Sequence, residues 1–570
     1  LHILSCRLLH RISDLLDSRL ELRLWGEKTM REPNEMLLAD LLRIRAEQKP
    51  DFDVLTFEHL SLDGGSSPDE VRTYADLATN ANRIAAALIQ LGLQRGDCFG
   101  LMMRNHPEYV ETMAAASITG CVFVPIDPRS KGDKLAFFLQ NSECRGIICA
   151  DYCLPSVNDV RAELPSLEWI LALDTGGEAG PIEESLLADT RSLKEVLAKP
   201  AATVDVRLES PTDPLQIIFT SGTTGNPKGV VMANIGFGGF AMLGMLFGYT
   251  EEDRPYTGLS LTHGNAQAVT LGPSLSLGLR GVLSRRFTKS KLFDVCRQHG
   301  CTTFSLLGGM ATAIYSEPVK PNDADNPVRQ VSSAGMPGAI WESFEQRFNL
   351  DIFEWYGAVE GGLAYKPVGE GPVGSFGKPG PNLDMKILSD DDEECPAGVM
   401  GEICSRPATG GSAQVEYYKN PQASTDKTRG GWLRSGDMGY RNEDGWLFFG
   451  YRKGGGIRHN GDFVNTSFVE KVIAEQPNIV DVFVYGVDPA SGAPGEKDVV
   501  AAIVAANREE FSVDALFAAC RAGLEGNFVP SYLQLVDEIP KTASEKPQQR
   551  FLLEQFSIDA PNVYTEGVSR

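Results

Sequence analysis

Short apolar runs alternate with helix-patterned segments through the first third of the chain, and that alternation restricts the fold most. Residues 98–103, 121–126, 146–150 and 169–173 read as buried strands. Between them, 74–91 and 109–119 carry Ala-rich or amphipathic helical patterns, as does 37–48 before the first run. Strands that alternate with helices predict an α/β fold, with helices covering mostly parallel sheets. The acidic stretch 174–200 reads as a loop with a short surface helix. After Lys453 the order changes to helix 468–475, strand 481–487, strand 499–505, helix 513–524 and strand 532–536. That predicts a small α+β unit of its own. At 570 residues the chain is too long for a single core. The expected boundaries are an N-terminal extension over 1–29, a large domain over 30–453 and a mobile C-terminal domain over 454–570. Three consecutive glycines, Gly454 to Gly456, make the joint, with Gly454 as the hinge.

Composition narrows the function classes. The net charge of −23 argues against nucleic-acid binding, which needs a basic face. No apolar run approaches the length of a spanning helix. The 11 cysteines form no disulfide framework and no zinc spacing, so Cys144, Cys149 and Cys153 are expected as buried free thiols in a reducing cytoplasm. Residues 1–29 mix Arg7, Arg11, Arg19 and Arg23 with Asp14, Asp17, Glu21 and Glu27, which opposes a transit peptide. They are expected to be an extension upstream of a start at Met30.

One loop carries the chemistry. The apolar run Leu215 to Phe219 leads directly into Thr220-Ser221-Gly222-Thr223-Thr224-Gly225-Asn226-Pro227-Lys228-Gly229. Glycines let backbone N–H groups approach an anion, and hydroxyls and a lysine can bind phosphate oxygens. In a Walker A loop, Lys is followed by Ser or Thr; here Gly229 follows Lys228.

This loop resembles the phosphate-binding signature of the adenylate-forming superfamily, which contains acyl-CoA synthetases, peptide-synthetase adenylation domains and firefly-type luciferases. Segments similar to that family recur in order from about Thr73 to Lys546. The resemblance implies a two-domain α/β enzyme that uses ATP, Mg²⁺ and coenzyme A. A carboxylate is activated to an acyl-adenylate with loss of pyrophosphate and then passed to a thiol. It assigns Thr220, Ser221, Gly222, Thr223, Thr224, Gly225 and Lys228 to the phosphates. Tyr356 and Gly357 go to adenine with Gly335, Met336 and Pro337, Glu360 to the metal, and Asp437 and Arg452 to ribose. Lys546 becomes the catalytic cation, with Glu360, Thr220 and His263 also catalytic. His263, Asn265, Gly308 and Gly309 are expected to line the acyl pocket, and Arg458 and Gly461 to face coenzyme A.

Four positions depart from the family pattern. Val359 stands where Thr is usual, Tyr451 where Asp is, Glu545 where Gly is, and Asn234 where many members have His. Expected partners are a small carboxylic acid, ATP and coenzyme A; a homodimer is compatible with these. Few residues follow Lys546, so free coenzyme A is the expected acceptor. The segments Gly308-Gly309-Met310 and Glu545-Lys546-Pro547-Gln548 are similar to the crotonobetaine/carnitine–CoA ligase and fatty-acyl-CoA synthetase group. A standalone adenylation enzyme that charges a carrier protein, and a non-catalytic nucleotide-binding homologue, remain alternatives.

Overall fold

Parallel pairing appears where the alternation predicts it. In a computed structural model, strands Trp169–Leu173, Gly146–Ala150, Cys98–Met102, Val122–Pro125 and Pro214–Thr220 lie side by side and parallel. Arg191–Ser192 adds one edge of this seven-stranded sheet. The structure describes residues 32–178, 180, 183–187, 189–220, 227–453, 457–459, 462–464, 466–490, 496–542 and 545–566. Residues 35–570 make up one compact unit.

The second sheet has 13 strands and two characters. From Asp53–Glu58 to Asp351–Ala358 it is parallel, in the order Asp53–Glu58, Gly281–Ser284, Pro255–Thr257, Thr303–Leu307, Gln330–Ala334, Asp351–Ala358. Glu70–Thr73 caps its edge antiparallel. Beyond Asp351–Ala358 all pairings are antiparallel, through Gly361–Lys366, Ser375–Pro379, Leu447–Arg452, Leu433–Arg441, Gly401–Pro407 and Leu383–Leu388. This antiparallel half is absent from the sequence expectation, since the alternation of strands with helices stops before it.

The helices sit where their apolar spacing puts them. Tyr74–Gln90 starts with a capping box: the Thr73 hydroxyl accepts from the Asp76 N–H, and the Asp76 carboxylate accepts from the Thr73 N–H. Pro107–Thr119 is buried along its whole length and ends at Gly120 with φ 69°. The stretch 174–200 holds helices Glu184–Leu187 and Leu193–Leu197. The second is amphipathic, with Leu193 and Val196 buried and Lys194 and Glu195 exposed.

The C-terminal residues form a four-stranded sheet in the order Ile479–Val487, Asp498–Ala505, Tyr532–Leu535, Val563–Tyr564. Helices Thr466–Ala474 and Val513–Gly523 pack on it around Val469, Ile473, Phe517 and Ile503. This is a small α+β domain with its own core. Lys453 is tied to the large domain, its N–H donating to Gly436 O at 2.8 Å and its ammonium pairing with Asp390 at 2.9 Å. Ile457 already belongs to the small-domain core. The hinge expected at Gly454 lies outside the described residues.

The ten described cysteines are free and buried, including Cys144, Cys149 and Cys153. Among the described residues no helix is long and apolar enough to cross a membrane. Asn234 is a structural pin. Its Oδ1 accepts from Ser117 at 2.8 Å and its Nδ2 donates to the Asp213 carbonyl at 3.0 Å, at full burial.

Candidate active site

The phosphate-loop segment joins two antiparallel strands, Pro214–Thr220 and Lys228–Ala233, with Thr220 paired to Lys228. Residues Ser221 to Gly225 lie outside the described residues. At the flanks, the Thr220 hydroxyl donates to Lys228 O at 3.4 Å. Lys228 Nζ sits 5.5 Å from the centre of the Tyr417 ring. A cation over an aromatic face is attracted by the ring quadrupole. Tyr417 is held there by the backbone: Val231 N–H donates to Glu416 O and Tyr418 N–H to Gly229 O, at 3.0 and 2.8 Å. It caps the hairpin and reaches across to the second sheet, where its hydroxyl donates to Glu360 Oε1 at 3.0 Å. Sequence reading missed Tyr417; the adjacent pair Tyr417-Tyr418 matches no motif and carries no signal of its own.

The ribose and adenine candidates meet on neighbouring strands. Asp437 and Arg452 are cross-strand partners, and Arg452 Nη1 donates to Asp437 Oδ1 at 2.6 Å. The Tyr356 hydroxyl donates to the other oxygen, also at 2.6 Å. Asp437 is 9% exposed, so the carboxylate is held by two short, charge-assisted bonds. Tyr356 stacks on Phe376 with ring centres 4.6 Å apart. Strand alternation puts Tyr451 on the face opposite Arg452. The Tyr451 departure therefore faces away from the Asp437 carboxylate.

A buried acid organises the loop Gly335-Met336-Pro337. Glu354, 2% exposed, accepts from Gly335 N–H at 2.5 Å and Met336 N–H at 3.2 Å. Burial pushes its carboxyl up to about 8 in spite of these donors and of Lys366. Gly335 has φ 99°, a conformation open to glycine. Gly308 fits against it so closely that a Cβ would stand 2.4 Å from Gly335 O. Gly308 thus allows close backbone packing against the loop Gly335-Met336-Pro337. A Cβ on Gly309 would stand 3.0 Å from the Glu545 carbonyl, so its missing side chain makes room for the C-terminal loop.

That loop brings Lys546 in. The Thr542 N–H donates to Lys546 O at 2.9 Å, and the Lys546 N–H to Thr542 Oγ1 at 3.2 Å, which closes a tight turn. At its corner Glu545 has φ 57°. A non-glycine residue in this left-handed region costs about 1–2 kcal/mol. The departure from Gly is therefore a strained backbone, and the Glu545 carboxyl is raised by burial near Lys541 and Arg129. The Lys546 side chain is exposed, with Asp437, Arg452 and Glu360 within electrostatic reach. Burial draws its ammonium below the ordinary lysine range, with Asp437 and Glu360 opposing and Arg452 reinforcing.

His263 is within electrostatic reach of the same ammonium. Burial first, then Lys546, holds its imidazole down to about 3, so it is neutral at physiological pH. Asn265 N–H donates to His263 Nδ1 at 3.2 Å, which leaves the proton on Nε2. Asn265 is 5% exposed with neither side-chain polar atom hydrogen-bonded. It begins the run into a π-helix over Ala266–Leu271, a form often seen at functional sites. Val359 packs against Val230 and Tyr417 and offers no hydroxyl to the cleft.

Arg458 pairs with Glu496 in the small domain at 3.4 Å, and Gly461 lies outside the described residues. Among the described residues no three His, Cys, Asp or Glu side chains form a metal cage. Glu360 Oε2 accepts no hydrogen bond there, so one carboxylate oxygen is open. That fits a Mg²⁺ ion bound mainly through nucleotide phosphates and water.

Residues 42–411 match the model of the AMP-binding enzyme family, and 469–546 that of the AMP-binding enzyme C-terminal domain. The chain is 29% identical over 496 residues to a medium/long-chain-fatty-acid–CoA ligase of Mycobacterium marinum, covering 85% of this chain and 92% of that one. It is 28% identical over 483 residues to the crotonobetaine/carnitine–CoA ligase of Salmonella typhimurium, covering 83% and 91%. Among solved structures, an anthranilate CoA ligase in complex with anthranoyl-AMP aligns with a TM-score of 0.77 at 23% identity, over 91% of this chain and 96% of that one. A benzoate CoA ligase from Burkholderia xenovorans aligns at 0.73 and 22%, over 90% and 99%. The chain belongs to the AMP-binding enzyme family, the adenylate-forming enzymes.

Proposed function

We propose that the chain is an AMP-forming acid–CoA ligase, captured in the arrangement for its first half-reaction. One observation carries this: Lys546, from the small domain, stands in the same cleft as Asp437, Arg452, Glu360 and His263 of the large one. ATP would lie with ribose at Asp437 and Arg452, adenine between Tyr356 and the Gly335–Pro337 loop, and the leaving phosphates towards Lys228 and the loop from Thr220 to Gly225. A carboxylate oxygen attacks the α-phosphorus, the bond to the bridging oxygen breaks, and pyrophosphate leaves. Lys546 neutralises charge that grows on the acid and the α-phosphate. Neutral His263 donates from Nε2 and orients the acid without exchanging a proton. Mg²⁺, held by Glu360 together with the phosphates, would supply charge neutralisation at the triphosphate.

The second half-reaction would transfer the acyl group from adenylate to the thiol of coenzyme A, with release of AMP, after the small domain turns about Gly454. The named ligases among the relatives support coenzyme A as the acceptor and a carboxylic acid as the partner. Ten buried free thiols fit a reducing compartment such as the cytoplasm.

Pyrophosphate release measured over a panel of fatty acids, crotonobetaine, benzoate and anthranilate, with and without coenzyme A, tests the reading. Acid-dependent release with acyl-CoA as product is the expected outcome. Acid-dependent release without acyl-CoA would favour carrier-protein charging, and release indifferent to every acid would overturn the scheme.

A further inference from the structure

Lys427 ends the short helix Pro421–Lys427, next to the strand Leu433–Arg441 that carries Asp437. Its side chain turns inward, and its ammonium donates to the Ser435 carbonyl at 3.2 Å. Among the described residues it makes no other hydrogen bond and no ion pair. It is nevertheless half-buried, lining one hollow with Tyr356, Ala358, Glu360 and Ser435. Glu360, Asp437 and Glu402 act on it from beyond contact distance, and Arg452 repels it; burial draws its ammonium below the ordinary lysine range.

An ammonium has three protons to place, and a buried one is costly when they lack acceptors. Here one of three goes to a protein acceptor, beside the place assigned to the nucleotide. The arrangement is that of a cation waiting for an anion. Val359, the side chain preceding Glu360, is packed against Tyr417 and cannot serve as a donor. The Ser435 carbonyl that positions Lys427 lies two residues before Asp437. An anion bonded to Lys427 is therefore one attached close to the ribose.

We propose that Lys427 is a direct ligand of the nucleotide's α-phosphate. It rests on the large domain, so the contact persists when Lys546 moves away with the small domain. Lys427 would then hold AMP through both half-reactions, whereas Lys228 serves the departing phosphates and Lys546 the acylation step alone. This assignment rests on the nucleotide reading of the cleft given above.

The test compares AMP, ATP and adenosine binding by calorimetry to the full chain and to Lys427→Met and Lys427→Arg, with thermal unfolding as the check on folding. Lys427→Met should weaken AMP and ATP about 10- to 100-fold, the worth of one charge-assisted hydrogen bond. Adenosine affinity should stay within about two-fold, and Lys427→Arg should recover part of the AMP affinity. Equal weakening of AMP and adenosine would show a structural role and overturn the assignment. So would unchanged AMP binding, and so would a loss confined to ATP, which would move Lys427 to the β- or γ-phosphate. A wild-type chain that binds neither ATP nor AMP would overturn the nucleotide reading itself.

Discussion

Two cations of the cleft, Arg452 and Lys546, are held in opposite ways. Arg452 projects from a strand inside a 13-stranded sheet, is paired across the ladder to Asp437, and bonds its carboxylate at 2.6 Å. Lys546 projects from a tight turn whose corner, Glu545, has a strained φ of 57°. Among the described residues, three hydrogen bonds reach from the large domain to the small one. Lys289 Nζ donates to Val480 O at 2.8 Å, the Tyr315 hydroxyl to Glu475 at 3.0 Å, and the Ser316 hydroxyl to Val480 O at 3.3 Å. Under the proposed function, Arg452 would hold the nucleotide throughout from within a sheet, whereas Lys546 would serve one step from an element able to leave, because a weakly fastened interface exchanges states at little cost.

Removing each cation should separate these roles. Lys546→Ala is expected to lower acid-dependent ATP–pyrophosphate exchange about 10²- to 10³-fold, while thioester formation from supplied acyl-adenylate continues. Unchanged exchange would remove Lys546 from the mechanism. Because burial depresses the Lys546 ammonium and the charged form is the useful one, exchange in the wild type should fall as pH rises, beginning below the ordinary lysine range near about 10.4. A profile that holds flat to that pH would contradict the cleft electrostatics.

Asp437→Ala should raise the KM for ATP by about 10- to 100-fold and impair both half-reactions, since it unpairs Arg452 and Tyr356 together. An effect on one half-reaction alone would break the comparison. Gly308→Ala inserts a Cβ 2.4 Å from Gly335 O, and overpacking of this kind costs about 1–3 kcal/mol. Thermal unfolding and the KM for ATP should both shift; a neutral outcome would mean that the adenine loop yields easily. The smallest effect is expected at the interface. Lys289→Met should slow adenylation about two- to five-fold and leave the thioester step alone. Equal slowing of both steps would argue that the contact stabilises the fold instead of fastening one arrangement.

Much of the fold was legible because its signals are local. The strands Gly146–Ala150 and Trp169–Leu173 have the residues expected for them, and the small domain has its expected order of elements. The antiparallel half of the large sheet was not legible. Its strands from Gly361–Lys366 to Leu447–Arg452 pair through loops without crossover helices, so no periodicity switch announces them. In the site, motif residues stood out by their resemblance to segments of the adenylate-forming enzymes. Tyr417, Glu354 and Lys427 did not, because each acts through a neighbour brought close only by folding. Tyr417 meets Glu360 across two sheets, and Glu354 meets its partner loop across adjacent strands.

By itself, the sequence implied phosphate binding, from a glycine- and hydroxyl-rich loop with Lys228 after a buried strand. The reaction class, the candidate cations Arg452 and Lys546 and the replacement of a family glycine by Glu545 came from the resemblance of this loop and later segments to the adenylate-forming enzymes. Tertiary structure decided what these mean. It set Glu545 at positive φ, kept His263 neutral through burial beside Lys546, and left Lys427 with a single hydrogen bond among the described residues, near Glu360. Burial and charge at a residue depend on what surrounds it in space, and those surroundings come from segments hundreds of residues apart.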